Sequence, residues 1–545
     1  MQPGDSDHMA PDTGAAPTEP GSPDRPLPCE RTRWRSLGAP WPCRTWVLAL
    51  ALAGPSAAVG GELPSLSVDR ILEHLRVLGG DEMEGRGTGS PGGRRAARYL
   101  EARLTELDLE PMGGGGFRQD VPMHGSRPLR SSRLELVDPQ GEHRSLELWD
   151  DYIIFDTTPS TLLPQPLPMF FVGYGIVAPE YDHNDYQQID PQGGIVVFLA
   201  GEPPSSDSDY FAGEAPTEHS DPALKFRTAL SRGARGALLL PSRREGAFTR
   251  WEDVLDAFQS EDVTLPYGVA GSLDLVLRED NAPLLFAGTT SWREVQRLDG
   301  LGELRSFPLA MRMRFDGAFR QRDFTAANLL ARLRGSDPIL SDEHVIVAAH
   351  YDALGVGRPH ATAAAGSSRN AEDTIYNGVI DNASGTAVTL EIARVLAGAA
   401  VAPRRSILFL FVTGEEQGLL GSRYYRDHPV VPLHRTAAAI NIDGIAFLDT
   451  TRAFVGIGSQ YSTLGSLLEE TLAPLGLRRG QVPAAFRHRE PFYTSDQLAF
   501  AQAGIPSILV MESLDFENLE EREGLERFVR WGRERYHTPF DDLER

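Results

Sequence analysis

The sequence predicts a three-layer α/β domain with a mixed, largely parallel sheet, interrupted by a β-rich accessory domain. Three observations carry this expectation. From about Asn328 onward, continuous apolar runs at 345–349 and 406–412 read as strands buried on both faces, and helical patterns follow each of them at 384–396 and 418–427. Between about 126 and 318 the pattern is different, with short strand candidates at 169–172, 194–199 and 236–240 set apart by polar or Pro-containing loops. Finally, 545 residues are too many for one ordinary domain.

Taken in chain order, the first 43 residues are rich in Pro, Gly, Asp and Arg and read as disordered. Arg31, Arg33, Arg35 and Arg44 then precede a short apolar run that ends in small residues at Ala58 and Gly60. This is a secretory signal pattern, so residues 1–60 are expected to be a leader and the mature chain to be secreted or periplasmic. An uncleaved anchor is the competing reading, although the run is short of the roughly 20 apolar residues that span a bilayer. Residues 61–125 are expected to be the N-terminal helical part of the main domain. Leu66, Ile71, Leu72, Leu75 and Leu78 recur at helical spacing, as do Ala97, Leu100, Leu104 and Leu107. The Gly-rich stretch 84–93 between them reads as a loop. Residues 126–318 form the expected insert, with a helix at 222–231, a solvated acidic loop at 202–209 and no His/carboxylate cluster able to carry chemistry. Residues 319–545 form the expected catalytic core.

Composition removes several classes of function. With 76 acidic and 53 basic residues the formal charge is −23, which repels phosphate and disfavours nucleic acid or anionic lipid as a partner. Both cysteines, Cys29 and Cys43, lie in the leader, so the mature chain would have neither disulfides nor thiolate metal ligands. Any metal must be held by His, Asp and Glu.

Those residue types collect where ligands bind in open α/β sheets, at the carboxyl ends of strands. The first strand runs into His350-Tyr-Asp352, and residues two apart on an extended chain share a side, so Asp352 is expected to contact the His350 ring. Asp381 sits in the Gly-flanked turn Asn377-Gly-Val-Ile-Asp381-Asn-Ala-Ser-Gly385 just before a helix. Alone it would be a turn or capping aspartate. Glu415 and Glu416 follow a strongly apolar strand, and adjacent carboxylates there are costly without a positive charge nearby. Asp443 ends the strand of Ala439-Ile-Asn-Ile-Asp443, and His537 lies in Tyr536-His537-Thr-Pro. Two His and three carboxylates with one Glu to spare form an oxygen/nitrogen set that suits Zn²⁺, Mn²⁺ or Co²⁺. Five ligands exceed the need of a single open zinc and fit two ions sharing one bridging carboxylate.

In this order the motifs resemble the co-catalytic two-zinc aminopeptidase family, relatives of glutamate carboxypeptidase and the transferrin receptor. The resemblance extends to Glu84-Gly-Arg86 and to Thr494-Ser-Asp496 with Ala503-Gly-Ile-Pro506. More loosely, Phe171-Val-Gly-Tyr-Gly-Ile176 and Lys225-Phe-Arg are similar to the protease-associated domain that many members carry as an insert. The resemblance implies a zinc-exopeptidase fold and two Zn²⁺ per chain, with Asp381 bridging, His350 and Asp443 at one metal, and Glu416 and His537 at the other. It further implies Glu415 as general base, Asp352 as the residue orienting His350, Tyr493 as a candidate oxyanion donor, and a peptide or protein substrate cleaved at its N-terminus. The family pattern has His where this chain has Gln497, which puts a substrate-side role there in doubt. A carboxypeptidase or dipeptidase of the same family is the alternative. It requires cations beside the metals, and the sequence assigns no place to Arg487 or Arg489. A receptor-like relative with a decayed site is the other alternative, and the complete ligand set argues against it. Oligomeric state is not legible.

Overall fold

The computed structural model describes residues 64–157, 162–207, 209–213, 216–242, 251–258, 261–267, 272–359, 373–444, 448–483 and 491–543. The leader expected over 1–60 lies outside the described residues, as do Arg487 and Arg489.

Apolar runs on both faces of the strands decide the architecture. In His344–His350 and Ser406–Val412 every second residue turns to the same side of the sheet. Val347, Ile407, Phe409 and Phe411 pack against Ile71, Leu78, Ala97, Leu100, Leu104 and Ala387, from the helices Val68–Leu78, Pro91–Glu106 and Gly385–Ala397. Their alternates, Ile346, Ala348, Leu408 and Leu410, pack against Tyr425 and Phe500 from the helices Leu420–Asp427 and Gln497–Gln502. Two separate apolar faces bury two helical layers, which is the predicted three-layer arrangement.

Among the described residues this sheet has ten strands. Its centre is parallel, in the order Ser406–Val412, His344–His350, Thr436–Asn441, Ser507–Glu512. Antiparallel strands flank the centre: Phe319–Leu333 and then Arg118–Pro128 on one side, Ala453–Ile457 on the other. Parallel alignment of the central strands brings their carboxyl ends to one edge, which is the property the site needs.

The accessory region has its own eight-stranded sheet and its own core, including Leu134, Phe171, Val197, Phe198, Leu238, Leu275, Met313 and Phe315. The chain enters from Arg118–Pro128 and leaves into Phe319–Leu333, which pair with each other, and Leu129 N–H donates to Ala318 O where they part. A third connection is the short strand Asp262–Thr264, which returns from the accessory region to pair with Arg118–Pro128 at the edge of the main sheet.

Several local expectations need correction. The helical part expected over 61–125 ends at Glu106. The chain then forms strands at Glu110–Pro111 and Arg118–Pro128, because Val121 and Met123 alternate into a separate apolar cluster with Val263 and Leu265. The stretch 84–93 is not all loop. A 3₁₀ turn covers Asp81–Arg86 and the next helix begins at Pro91, capped by Ser90 Oγ accepting from Gly93 N–H. Glu202, read as part of a solvated loop, is half-buried and accepts from Thr217 N–H at 2.8 Å.

Within the accessory sheet Asp274 lies opposite Asp156 and is buried. Burial pushes its carboxyl up to about 7; the Asp156 charge adds to this and the Ser272 hydroxyl opposes it. A folded-state pKa raised above the unfolded value means stability that declines as pH rises between about 4 and 7. Asp274→Asn is therefore expected to leave the melting temperature nearly unchanged at pH 4 and to raise it at pH 8, by up to about 4 kcal/mol in unfolding free energy. Equal shifts at both pH values in thermal melts would contradict this account.

Candidate metal centre

The strand His344–His350 ends on a histidine that is fully buried. Its neighbours in the sheet, Ser406–Val412 and Thr436–Asn441, run parallel to it and lead directly into Glu415–Glu416 and Asp443. The loop before the helix Gly385–Ala397 carries Asp381, and the C-terminal segment after the helix Glu521–Glu534 carries His537. Residues spread over nearly 190 positions meet at one edge of the sheet.

His350 Nε2 lies 3.0 Å from Asp443 Oδ1, 3.2 Å from Asp381 Oδ1 and 3.9 Å from Glu415 Oε2. His537 Nε2 lies 3.2 Å from Asp381 Oδ2 and 3.2 Å from Glu416 Oε2. Asp381 thus directs one oxygen to each histidine, and each histidine has a second carboxylate of its own. His537 has a positive φ of 57° and its ring stacks on Tyr536 with centroids 3.9 Å apart.

The surrounding groups hold this geometry. Ser495 Oγ donates to Asp443 Oδ2, and Asn441 Nδ2 donates to Ser495 Oγ at 2.8 Å and to Gln497 Oε1 at 3.0 Å. Gln497 in turn donates to Phe492 O at 2.9 Å, so it braces this network. Asp352 comes within 3.8 Å of His350 Nδ1, beyond hydrogen-bond length. It accepts instead from Thr88 Oγ1 at 2.9 Å and from Glu415 N–H at 3.2 Å, which ties the first strand end to the Glu415 loop. Tyr493 is more than half exposed and packs edge-on against Phe492. The sequence assigns no role to Thr88, and Ser495 enters only within Thr494-Ser-Asp496, since an isolated hydroxyl in a loop carries no periodic or spacing signal. Asp541, four residues after His537, accepts from Ile380 N–H at 3.0 Å and Asp381 N–H at 3.1 Å.

Charge is the dominant physical fact of the site. Burial pushes the Glu415 carboxyl well above the usual range; the charges of Asp443, Asp496 and Glu416 add to the shift, and His350 opposes it. Burial works against ionisation of Asp381 too, yet hydrogen bonds from His350 and His537 hold it below the usual range. For His537, burial is outweighed by Glu416 and Asp381, which lift it to about 10. His350 rises well above its ordinary value in the same way, burial being outweighed by Glu415 and Asp443. Each imidazole Nε2 faces carboxylate oxygens where a cation belongs. Among the described residues the buried His350 Nδ1 has no hydrogen-bond partner. Groups of ligand atoms close enough to hold an ion are formed by His350, Glu415 and Asp443 and by His350, Asp381 and Glu416. This nitrogen and oxygen set fits zinc.

Residues 328–545 match the sequence profile of Peptidase family M28. The matched segment holds all seven residues singled out above: His350, Asp352, Asp381, Glu415, Glu416, Asp443 and His537. Aminopeptidase NAALADL1 of Mus musculus is 29% identical over 218 residues, which are 39% of this chain and 26% of that protein. The probable leucine aminopeptidase 2 of Aspergillus oryzae is 29% identical over 198 residues, 34% of each. The chain therefore spans between a quarter and about a third of the length of these curated relatives. Among solved structures, the aminopeptidase from Aneurinibacillus sp. strain AM-1 aligns with a TM-score of 0.52 at 18% identity, over 88% of this chain and 89% of that one. The fold is shared at that extent.

Adding Zn²⁺ to chelator-treated protein is expected to raise the melting temperature, by the equivalent of about 2.7 kcal/mol at one hundred times the dissociation constant. Asp381→Ala is expected to remove most of that rise. A zinc-independent melting curve for the unmutated chain, followed by calorimetry, would count against the centre.

Proposed function

We propose that this chain is a zinc-dependent aminopeptidase that hydrolyses the N-terminal bond of peptides or proteins. The observation that carries the reading is Asp381, whose two oxygens reach two different histidines beside the partly buried Glu415. In this reading two zinc ions are held per chain. His350, Asp443 and Asp381 hold one, and Glu416, His537 and Asp381 hold the other. What zinc supplies when bound there is a water of lowered pKa and polarisation of the scissile carbonyl.

The chain's own groups do the rest. Glu415 accepts a proton at its carboxylate from the attacking water and passes it to the leaving amine. Asp352 fixes the Glu415 backbone through its N–H, and so sets where the carboxylate stands. Ser495 keeps Asp443 turned toward His350. The family match and the aminopeptidase names of the relatives in mouse and Aspergillus oryzae support the choice of the amino end. Among the described residues no helix is long and apolar enough to cross a membrane. The signal pattern before residue 60 supports an extracytoplasmic enzyme.

Glu415→Gln is expected to keep the zinc content of the unmutated chain and to lower kcat by about 10²–10⁴-fold. Metal analysis and turnover on aminoacyl chromogenic substrates, with and without a chelator, check both halves. Acetylating the substrate's amino terminus is expected to abolish cleavage, whereas blocking its carboxyl terminus is expected to leave it intact. The reverse preference would identify a carboxypeptidase.

A further inference from the structure

We propose that Arg86 and Asp541 form a two-sided clamp that sets the backbone of residues 377–381 and thereby aims both oxygens of Asp381 before any metal arrives. The inference rests on the two-metal reading above and deepens it by naming two positioning residues.

Arg86 is fully buried, and its guanidinium donates to four backbone carbonyls. Nε reaches Tyr351 O at 2.7 Å, Nη1 reaches Leu78 O and Asn377 O at 2.6 Å each, and Nη2 reaches Gly378 O at 2.7 Å. Tyr351 lies between His350 and Asp352, and Asn377 and Gly378 lead into Asp381. One cation therefore joins the loop that follows the first strand to the loop that carries the bridging carboxylate. Burying a guanidinium against carbonyls alone is unfavourable. Here burial pulls Arg86 down to about 10, while the charges of Asp352, Asp541, Glu416 and Asp381 sustain it.

Asp541 grips the same loop through the opposite polarity. Its backbone oxygen accepts from Val379 N–H at 3.1 Å. Its carboxylate accepts from Ile380 N–H at 3.0 Å and from Asp381 N–H at 3.1 Å. Across five consecutive residues, the carbonyls of the first two go to Arg86 and the N–H groups of the last three go to Asp541. Gly378 sits between the two halves with φ of 57°, and a Cβ there would meet Asp381 O at 2.3 Å and Arg86 Nη2 at 3.1 Å. The loop is thus held on both sides and cannot swing Asp381 away without losing several buried hydrogen bonds at once.

The two halves come from distant parts of the chain. Arg86 belongs to the 3₁₀ turn before the helix Pro91–Glu106, and Asp541 lies four residues after His537. Seating of the C-terminal segment therefore delivers one ligand, His537, and orients another, Asp381, in a single event.

The test compares Asp541→Asn and Arg86→Lys with the unmutated full-length chain. Asp541→Asn sets an amide N–H₂ among N–H donors in place of a carboxylate oxygen. Arg86→Lys keeps the charge but removes the planar fork that reaches four carbonyls. The measurements are Zn²⁺ affinity by chelator competition, the visible absorption of bound Co²⁺, the melting temperature of the metal-free proteins and amide exchange at 379–381. The expected result is a loss of zinc affinity of about tenfold or more in both variants. It is accompanied by an altered Co²⁺ spectrum in the folded proteins and faster exchange at 379–381 in Asp541→Asn. A merely structural role would lower the melting temperature and leave the Co²⁺ spectrum alone. Affinities within about twofold of the unmutated chain, with unchanged spectra, overturn the clamp. If Asp541→Asn does not fold, affinity and spectrum of Arg86→Lys decide alone. An unmutated chain that binds no zinc overturns the metal reading itself, whereas one that binds two ions while both variants match it overturns only the clamp.

Discussion

The constraint on which the rest of the structure depends is electrostatic crowding at one edge of the main sheet. Asp381, Glu415, Glu416 and Asp443, all largely withdrawn from solvent, converge on the buried His350 and the more exposed His537, and among the described residues none of these four carboxylates forms an ion pair with Lys or Arg. Anionic groups this close, removed from water, repel one another strongly unless a cation or shared protons lie between them. The protein answers in part by drawing both imidazoles toward the charged form and by raising the proton affinity of Glu415. A divalent ion meets the same demand more completely, which is why the geometry reads as a binding site and not as a set of capping residues.

Such crowding is possible only because the scaffold bears its cost. Three parallel neighbours, His344–His350, Ser406–Val412 and Thr436–Asn441, end together and are packed on both faces by helices. Their side chains can be large and apolar along the strand and charged only past its end. A mixed sheet with its parallel region in the middle gives this edge without exposing the strands that build it. Asp381 and His537 are added from loops that no strand controls, so their placement depends on other contacts, and the hydrogen bonds from Arg86 and to Asp541 are the ones the fold provides.

The accessory sheet is more closely tied to the site than an insertion joined by two strands would be. Its return strand, Asp262–Thr264, pairs at the edge of the main sheet, and Val263 N–H donates to Gln417 Oε1 at 3.0 Å. Gln417 directly follows Glu415 and Glu416. Asp262 is anchored at the other end by accepting from Thr157 N–H and Oγ1. A continuous run of hydrogen bonds therefore links the accessory core to the loop that carries two of the central carboxylates.

By itself, the sequence determined the fold class and the residue types able to hold a metal, because both are written in local pattern. Apolar runs such as 406–412 declare a strand buried on both faces, and charged residues just past such runs declare a strand end facing a ligand. What only the tertiary structure decided was which atoms meet. The split of the Asp381 oxygens between His350 and His537, the 3.8 Å gap that leaves Asp352 serving Glu415 in preference to the His350 ring, and the grip of Arg86 and Asp541 on one loop all join residues far apart in sequence. Pattern and propensity act over a few residues, whereas side-chain direction at a loop is set by partners brought there only when the chain has folded.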